Sequence, residues 1–435
     1  MFSILTCRTL RHRPVQNIGR STIHAMIATF LLSAPQVASA QTHADFEKPP
    51  VLNVTQLVPA KLLTGKGFRV KEKVPTDGIM GTYTLVADKE TFSEDAGSYQ
   101  LRSREMLELR LAEIPAIIKL KETSKTGTFV KAMATTAAEP LQSAGHMVMN
   151  PIDTVTGMPS GVGRFFDRVG SGVGRMWNSE PTPGTGGEEG GVADATRDML
   201  GYEQERRELA RKLGVDPYTT NPILAKELDE IATVAFYGRV GVNTAISVAV
   251  PASIILTGVR TMDNLVWDTP RGDLIVLVED KLQELKVSPS QRSLFLHNPA
   301  VPLSLQVAVV ENLDRLKNVK GREEVIGQIG SVATESQARF LATSVRMLAE
   351  YHEKKRPITA VAAPGPVIAR DQEGVLILPA PVDYITWTER VAYFAKDPKL
   401  QAVPQRMLWL VGQMSPRAKQ EFVANGWIVH EGTAP

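Results

Sequence analysis

Apolar and polar positions along this 435-residue chain change character several times, and each change predicts an element. From Ala25 to Val37 the chain is mostly apolar (Met26, Ile27, Phe30, Leu31, Leu32) and closes on Ala38-Ser39-Ala40. Arg8, Arg11, Arg13 and Arg20 carry positive charge around its start, and no acid precedes Asp45. A basic lead, a short apolar run and a small-x-small ending predict a secretory signal over 1–40, too short to span a bilayer. Residues 41–65 contain Pro and read as an irregular tether. A strand-plus-helix module follows over 66–150. Its strand-like runs are Phe68-Arg69-Val70-Lys71, Tyr83-Thr84-Leu85-Val86 and Tyr99-Gln100-Leu101, separated by Thr76-Asp77-Gly78 and Asp95-Ala96-Gly97. Ser103 then opens an amphipathic helix carrying Met106, Leu107, Leu109, Leu111, Ile114, Ile117 and Ile118, which Pro115 should interrupt.

Between 151 and 177 the apolar spacing is the most regular in the chain. Val162, Phe165, Phe166, Val169, Val173, Met176 and Trp177 fall on one helical face, while Arg164, Asp167, Arg168, Ser171 and Arg175 take the other. Gly-Val-Gly-Arg occurs at 161–164 and again at 172–175, an eleven-residue step that returns to the same face. Aromatic residues opposite Arg164, Arg168 and Arg175 are the composition of an interfacial helix that meets anionic lipid. Gly and Pro dominate the stretch after Asn178, so 178–196 reads as a flexible linker.

The remainder, 197–435, is patterned as a helical domain. Tyr202–Leu213 is a charged helix stopped by Gly214, Asp216-Pro217 makes a turn, and Asn221-Pro222 starts a helix through Leu224, Leu228 and Ile231. Val240–Val259 has no charge, yet Asn243, Ser247, Pro251 and two glycines dilute it into a buried hairpin rather than a span. Capping-box spacing at Ser288–Gln291, Thr334–Gln337 and Thr386–Glu389, and Ser415-Pro416, announce four further helix starts. Val367–Arg370 and Val375–Leu378 flank Asp371–Gly374, predicting a hairpin at about 366–379. The chain closes with a helix ended by Asn425-Gly426 and a strand-like Trp427–His430.

Charge and cysteine content sharpen this picture once the signal is set aside. The whole chain has 49 basic and 47 acidic residues and one cysteine, but 1–40 contains four arginines, Cys7 and no acid. The exported chain is then slightly acidic, with 45 basic against 47 acidic residues, and free of thiols. That excludes disulfides and thiol chemistry, argues against nucleic-acid binding, and places the protein in the periplasm or at an envelope membrane.

Candidate chemistry is sparse. His43, His146, His297, His352 and His430 lie at no metal-ligand spacing, so neither a metal nor a cofactor is expected. Gly157–Gly161 has the wrong order for a serine-nucleophile turn, and Gly170–Gly174 lacks the Lys and Ser/Thr of a phosphate loop. Carboxylates could still do general acid–base work: Asp268 beside Trp267, Asp273, and Asp383 before Tyr384 and Trp387.

The run Tyr202-Glu203 to Glu208-Leu209-Ala210-Arg211-Lys212-Leu213-Gly214-Val215-Asp216-Pro217-Tyr218-Thr219-Thr220-Asn221-Pro222 resembles a family of exported proteobacterial proteins of uncharacterised function. Leu378–Tyr384 and Trp387–Glu389 are similar to the same family. The resemblance implies an envelope location and brings no activity.

Together these readings predict an α+β protein, predominantly α-helical, with a small N-terminal antiparallel sheet and a larger helical domain bearing a C-terminal hairpin. The leading expectation is a non-enzymatic envelope protein that binds a membrane surface or an envelope protein partner through the 162–177 face. The competing expectation is an envelope hydrolase acting on glycan or cell-wall material through Asp268, Asp273 or Asp383.

Overall fold

A computed structural model describes residues 46–126, 129, 189–237 and 263–432. The expected signal, the 162–177 face, the linker up to residue 188 and the uncharged 240–259 stretch lie outside the described residues.

Six short strands open the fold: β1 (Val51–Asn53), β2 (Thr64–Gly65), β3 (Phe68–Val70), β4 (Lys73–Pro75), β5 (Thr82–Ala87) and β6 (Gly97–Arg102). β2-β3-β5-β6 form an antiparallel sheet, and β1 pairs separately with β4. Helix α1 (Arg104–Ser124) follows, with the Ser103 hydroxyl accepting from the Met106 N–H. The expected interruption at Pro115 does not occur, and the helix runs through it. An interior proline costs roughly 3 kcal/mol, and full burial of Leu111, Ile114, Ile117 and Ile118 on the same helix offsets it.

α2 (Glu189–Leu213) ends at Gly214, whose φ of +67° closes the last turn, and α3 (Pro222–Tyr237) starts where Asn221 accepts from the Ile223 N–H. α1 and α2 both pack on α3. Leu107, Ile117, Leu209, Leu224 and Leu228 share one core with Val70 and Tyr83 of the first sheet, so residues on both sides of the 127–188 stretch build it together. Five more helices succeed a short α4 (Asp263–Asp268): α5 (Arg271–Glu284), α6 (Pro289–Leu296), α7 (Leu303–Arg315), α8 (Arg322–Gly330) and α9 (Glu335–Lys354). α9, with Leu341, Val345 and Leu348 buried, packs against α7, while α6 packs against α8.

The C-terminal third departs from the expected helical domain. Strands β7 (Ile358–Ala362), β8 (Ile368–Asp371) and β9 (Leu376–Ala380) are followed by the two-residue β10 (Tyr384–Ile385) and helix α10 (Glu389–Ala395). Then come β11 (Arg406–Leu410), β12 (Gln413–Met414), α11 (Pro416–Ala424) and β13 (Trp427–Glu431). β8 and β9 pair antiparallel around Asp371–Gly374, but this hairpin is one corner of a five-stranded mixed sheet ordered β13-β11-β9-β8-β7. β9, β11 and β13 run parallel, joined by helical crossovers. The described residues are 53% helical and 19% strand in four sheets, which overturns the expectation of a predominantly helical fold with one small sheet. β11 causes the discrepancy: Met-Leu-Trp-Leu is a continuous apolar run whose period does not distinguish strand from helix.

β10 and β12 pair in parallel just beyond the carboxyl ends of β9 and β11. Gly412 allows this approach, because a Cβ there would lie 1.9 Å from the Val382 carbonyl oxygen and 2.6 Å from that of Asp383. Gly272, in the first turn of α5, has nothing within 4 Å of such a Cβ. Gly412→Ala is therefore expected to lower unfolding free energy by about 1–3 kcal/mol through overpacking. Gly272→Ala should leave stability unchanged or slightly raised; urea unfolding of the two variants makes the comparison.

Candidate functional site

Of the three acids singled out by sequence, Asp383 occupies the most organised position. It follows β9 and Pro381-Val382 at the carboxyl edge of the parallel strands, where open α/β sheets usually present ligands. Here Gly78–Gly81 and Arg104 of the N-terminal sheet-and-helix module pack against that edge. The Asp383 carboxylate, 7% exposed, accepts the Gly81 N–H at 2.8 Å and the Arg104 N–H at 3.0 and 3.1 Å. The Ile79 carbonyl accepts the N–H groups of Asp383 and Tyr384, and the Gly78 carbonyl accepts that of Thr386. The Arg104 N–H is aimed by Ser103, held at φ +82° by its own N–H bond to the Gly81 carbonyl and by its hydroxyl cap on Met106.

Electrostatics follow from this enclosure. Burial pushes the Asp383 carboxyl above its usual range, against the pull of the Arg104 and Gly81 N–H groups and the Tyr83 hydroxyl. Burial and the same carboxylate push the Tyr83 phenol strongly upward. A carboxylate whose lone pairs are taken by backbone donors, with little exposure, is suited to holding two sheets together and poorly placed for proton exchange with a substrate.

The structure does not bring the other two acids into such a setting. Asp268 ends α4 and pairs with Arg211 at 2.5 Å, both side chains about half exposed. Asp273 lies exposed in the first turn of α5, where a negative charge favours the helix. The Trp267 indole donates to the Val215 carbonyl at 2.8 Å, so its polar edge serves the fold. His297 caps α6, its Nδ1 lying 2.8 Å from the Ser293 carbonyl, and the His352 Nδ1 accepts the Ile358 N–H at 2.9 Å. Among the described residues no cluster of three or more His, Cys, Asp or Glu could hold a metal, and no helix is long and apolar enough to cross a membrane.

Two further polar centres escape sequence reading. In one, Arg110 of α1 bonds Glu113, Thr220 and Glu335 of α9, with N···O distances of 3.0 Å to Glu113 and 2.8 Å to Glu335. Thr219 and Asn221 donate to Glu113, Arg339 pairs with Glu335 at 2.8 Å, and Ser304 donates to Asp216. Burial raises Glu335, but Arg339 and Arg110 outweigh it and hold the carboxyl below its usual range. The helical spacings Arg110–Glu113 and Glu335–Arg339 are visible in sequence, whereas their meeting across 225 residues is not. The other centre is a cleft of about 260 Å³ at the end of α7, lined by Lys281, Asp314, Lys317, Asn318 and Arg322 among others. Lys281 bridges Glu284 and Asp314 there, and Arg322 donates to the Leu313 and Val319 carbonyls.

No family model, no curated protein and no solved structure matches this chain.

Asp383→Ala leaves two enclosed N–H groups without acceptors, at about 1–3 kcal/mol each, so its urea midpoint should fall markedly. Asp268→Asn, breaking an exposed pair, should change stability by no more than about 1 kcal/mol. Glu335→Gln takes the paired carboxylate from Arg339 and leaves Arg110 with that of Glu113 alone, and should cost about 3 kcal/mol at pH 7. Because the folded carboxyl of Glu335 lies below its unfolded value, its contribution is present above roughly pH 4.5 and is lost as pH falls through the folded value. The gap between wild type and Glu335→Gln, measured by urea unfolding at pH 7 and at pH 3, should therefore narrow in acid.

Proposed function

We propose that the protein is an exported envelope protein, periplasmic or peripherally attached to an envelope membrane. In this reading it acts by binding, presenting Val162, Phe165, Phe166, Val169, Val173, Met176 and Trp177, with Arg164, Arg168 and Arg175, to a membrane surface or an envelope protein partner. The observation that supports this is the anchoring of the stretch containing that face. α1 and α2, which flank residues 127–188, both pack on α3 and contribute to one core. An amphipathic segment tethered at both ends to a packed body can bind a surface without unfolding what carries it. The structural engagement of Asp268 and Asp383 supports binding over carboxylate hydrolysis in the same direction.

Lipid attachment through this face makes a quantitative demand. Burying one Phe is worth about 1.5–3 kcal/mol, so placing a charge at two such positions should reduce partition at least about tenfold. The protein is expected to float with anionic vesicles and the Phe165→Glu, Phe166→Glu variant to remain at the bottom of the gradient. Equal, negligible flotation of both would remove the lipid version and leave the protein partner, to be sought by crosslinking in the native envelope.

A further inference from the structure

The N-terminal strap ends in a side chain placed where a ligand would be expected. Glu47 donates its backbone N–H to the Trp387 carbonyl at 2.8 Å. Its Oε2 accepts the Trp387 N–H at 2.7 Å and the Ser415 hydroxyl at 2.5 Å. Those three groups lie on the segments leaving β10 and β12, at the same carboxyl edge as Asp383. The hydroxyl of Thr386, the residue before Trp387, is buried, with residue exposure of 2%, and has no hydrogen-bond partner.

Among the described residues the hold of the strap on this edge is narrow. Phe46, Lys48 and Pro49 are exposed, and Glu47 alone of these residues bonds to the α/β unit. Pro49 and Pro50 have no N–H to extend a ladder. The Pro50 carbonyl is fixed by the Thr76 N–H and hydroxyl, which sets a pivot three residues beyond Glu47. Further bonds across the contact are made independently by Gly78, Ile79, Gly81 and Arg104. Opening the strap at Glu47 breaks that residue's bonds, while those of Gly78, Ile79, Gly81 and Arg104 keep both sheets joined.

From this geometry we infer that the Trp387–Ser415 edge is a recognition site for an extended acidic peptide segment, filled in cis by Glu47 acting as a releasable latch. The site reads a backbone N–H through the Trp387 carbonyl and an adjacent carboxylate through the Trp387 N–H and the Ser415 hydroxyl, the pairing of main-chain and side-chain bonds by which a segment is added at a strand end.

The test compares wild type, Glu47→Ala and Glu47→Gln by amide hydrogen exchange at Trp387 and by urea unfolding. The probe is an acetylated, amidated peptide of residues 45–50, supplied at millimolar concentration. In Glu47→Ala the Trp387 amide should exchange at least tenfold faster with the urea midpoint nearly unmoved, and Glu47→Gln, which keeps an acceptor oxygen, should fall between. The peptide should restore protection in Glu47→Ala and leave wild type unchanged; a peptide with Gln in place of the acid should restore little. Unchanged exchange in Glu47→Ala, a matching fall in global stability, or no restoration by the acidic peptide would each overturn the inference.

Discussion

A carboxylate can leave water only if fixed donors replace its hydration, and Asp383 finds its donors in the N–H groups of Gly81 and Arg104. This contact spans 302 residues of sequence to Gly81 and joins the antiparallel sheet to the parallel one. Ser103 is held in a backbone region that favours glycine to bring the Arg104 N–H into range. Gly412 lacks a side chain so that β12 can close on Val382 and Asp383. Tyr83, fully buried, completes the wall of the same enclosure.

The Arg110 centre does comparable work further along α1. Glu113 and Glu335 pair with Arg110, and Glu335 also with Arg339, where α1, α9 and the 216–221 turn converge, while Glu105 and Asp216 beside them accept the hydroxyls of Thr343 and Ser304. Burial pushes Glu105 and Asp216 upward, while the paired Glu335 goes the other way. Neighbouring acids thus differ according to whether a guanidinium bonds them directly or only hydroxyl and backbone donors do. Charge here is invested in orienting one helix on another, which is consistent with the helices around the 127–188 stretch being firmly seated.

Local chemistry was legible where its cause is local. Ser288, Thr334 and Ser415 cap the helices they announce, and Gly426, at φ +77°, ends α11 as Asn425-Gly426 suggests. The helix start near Thr386 falls two residues later, with Thr388 as the cap accepting the Val391 N–H, because Thr386 is drawn into the bridge to Gly78. Parallel pairing was not legible. β9, β11 and β13 find one another only across helical crossovers, and Arg406–Leu410 carries no turn signal or alternation to mark it as a strand. The same holds for the candidate site: Asp383 stands out in sequence beside Tyr384 and Trp387, but the donors that enclose its carboxylate, Gly81 and Arg104, lie 302 and 279 residues away.

The enclosed Asp383 carboxylate joins the two sheets into one cooperative body. Native-state hydrogen exchange of the Gly81 and Arg104 amides, followed in rising sub-denaturing urea, tests it most directly. Both amides should exchange only through global unfolding, with the same free energy and urea dependence as the central strand β9. Exchange of Gly81 and Arg104 through local fluctuations, while β9 stays protected, would contradict it.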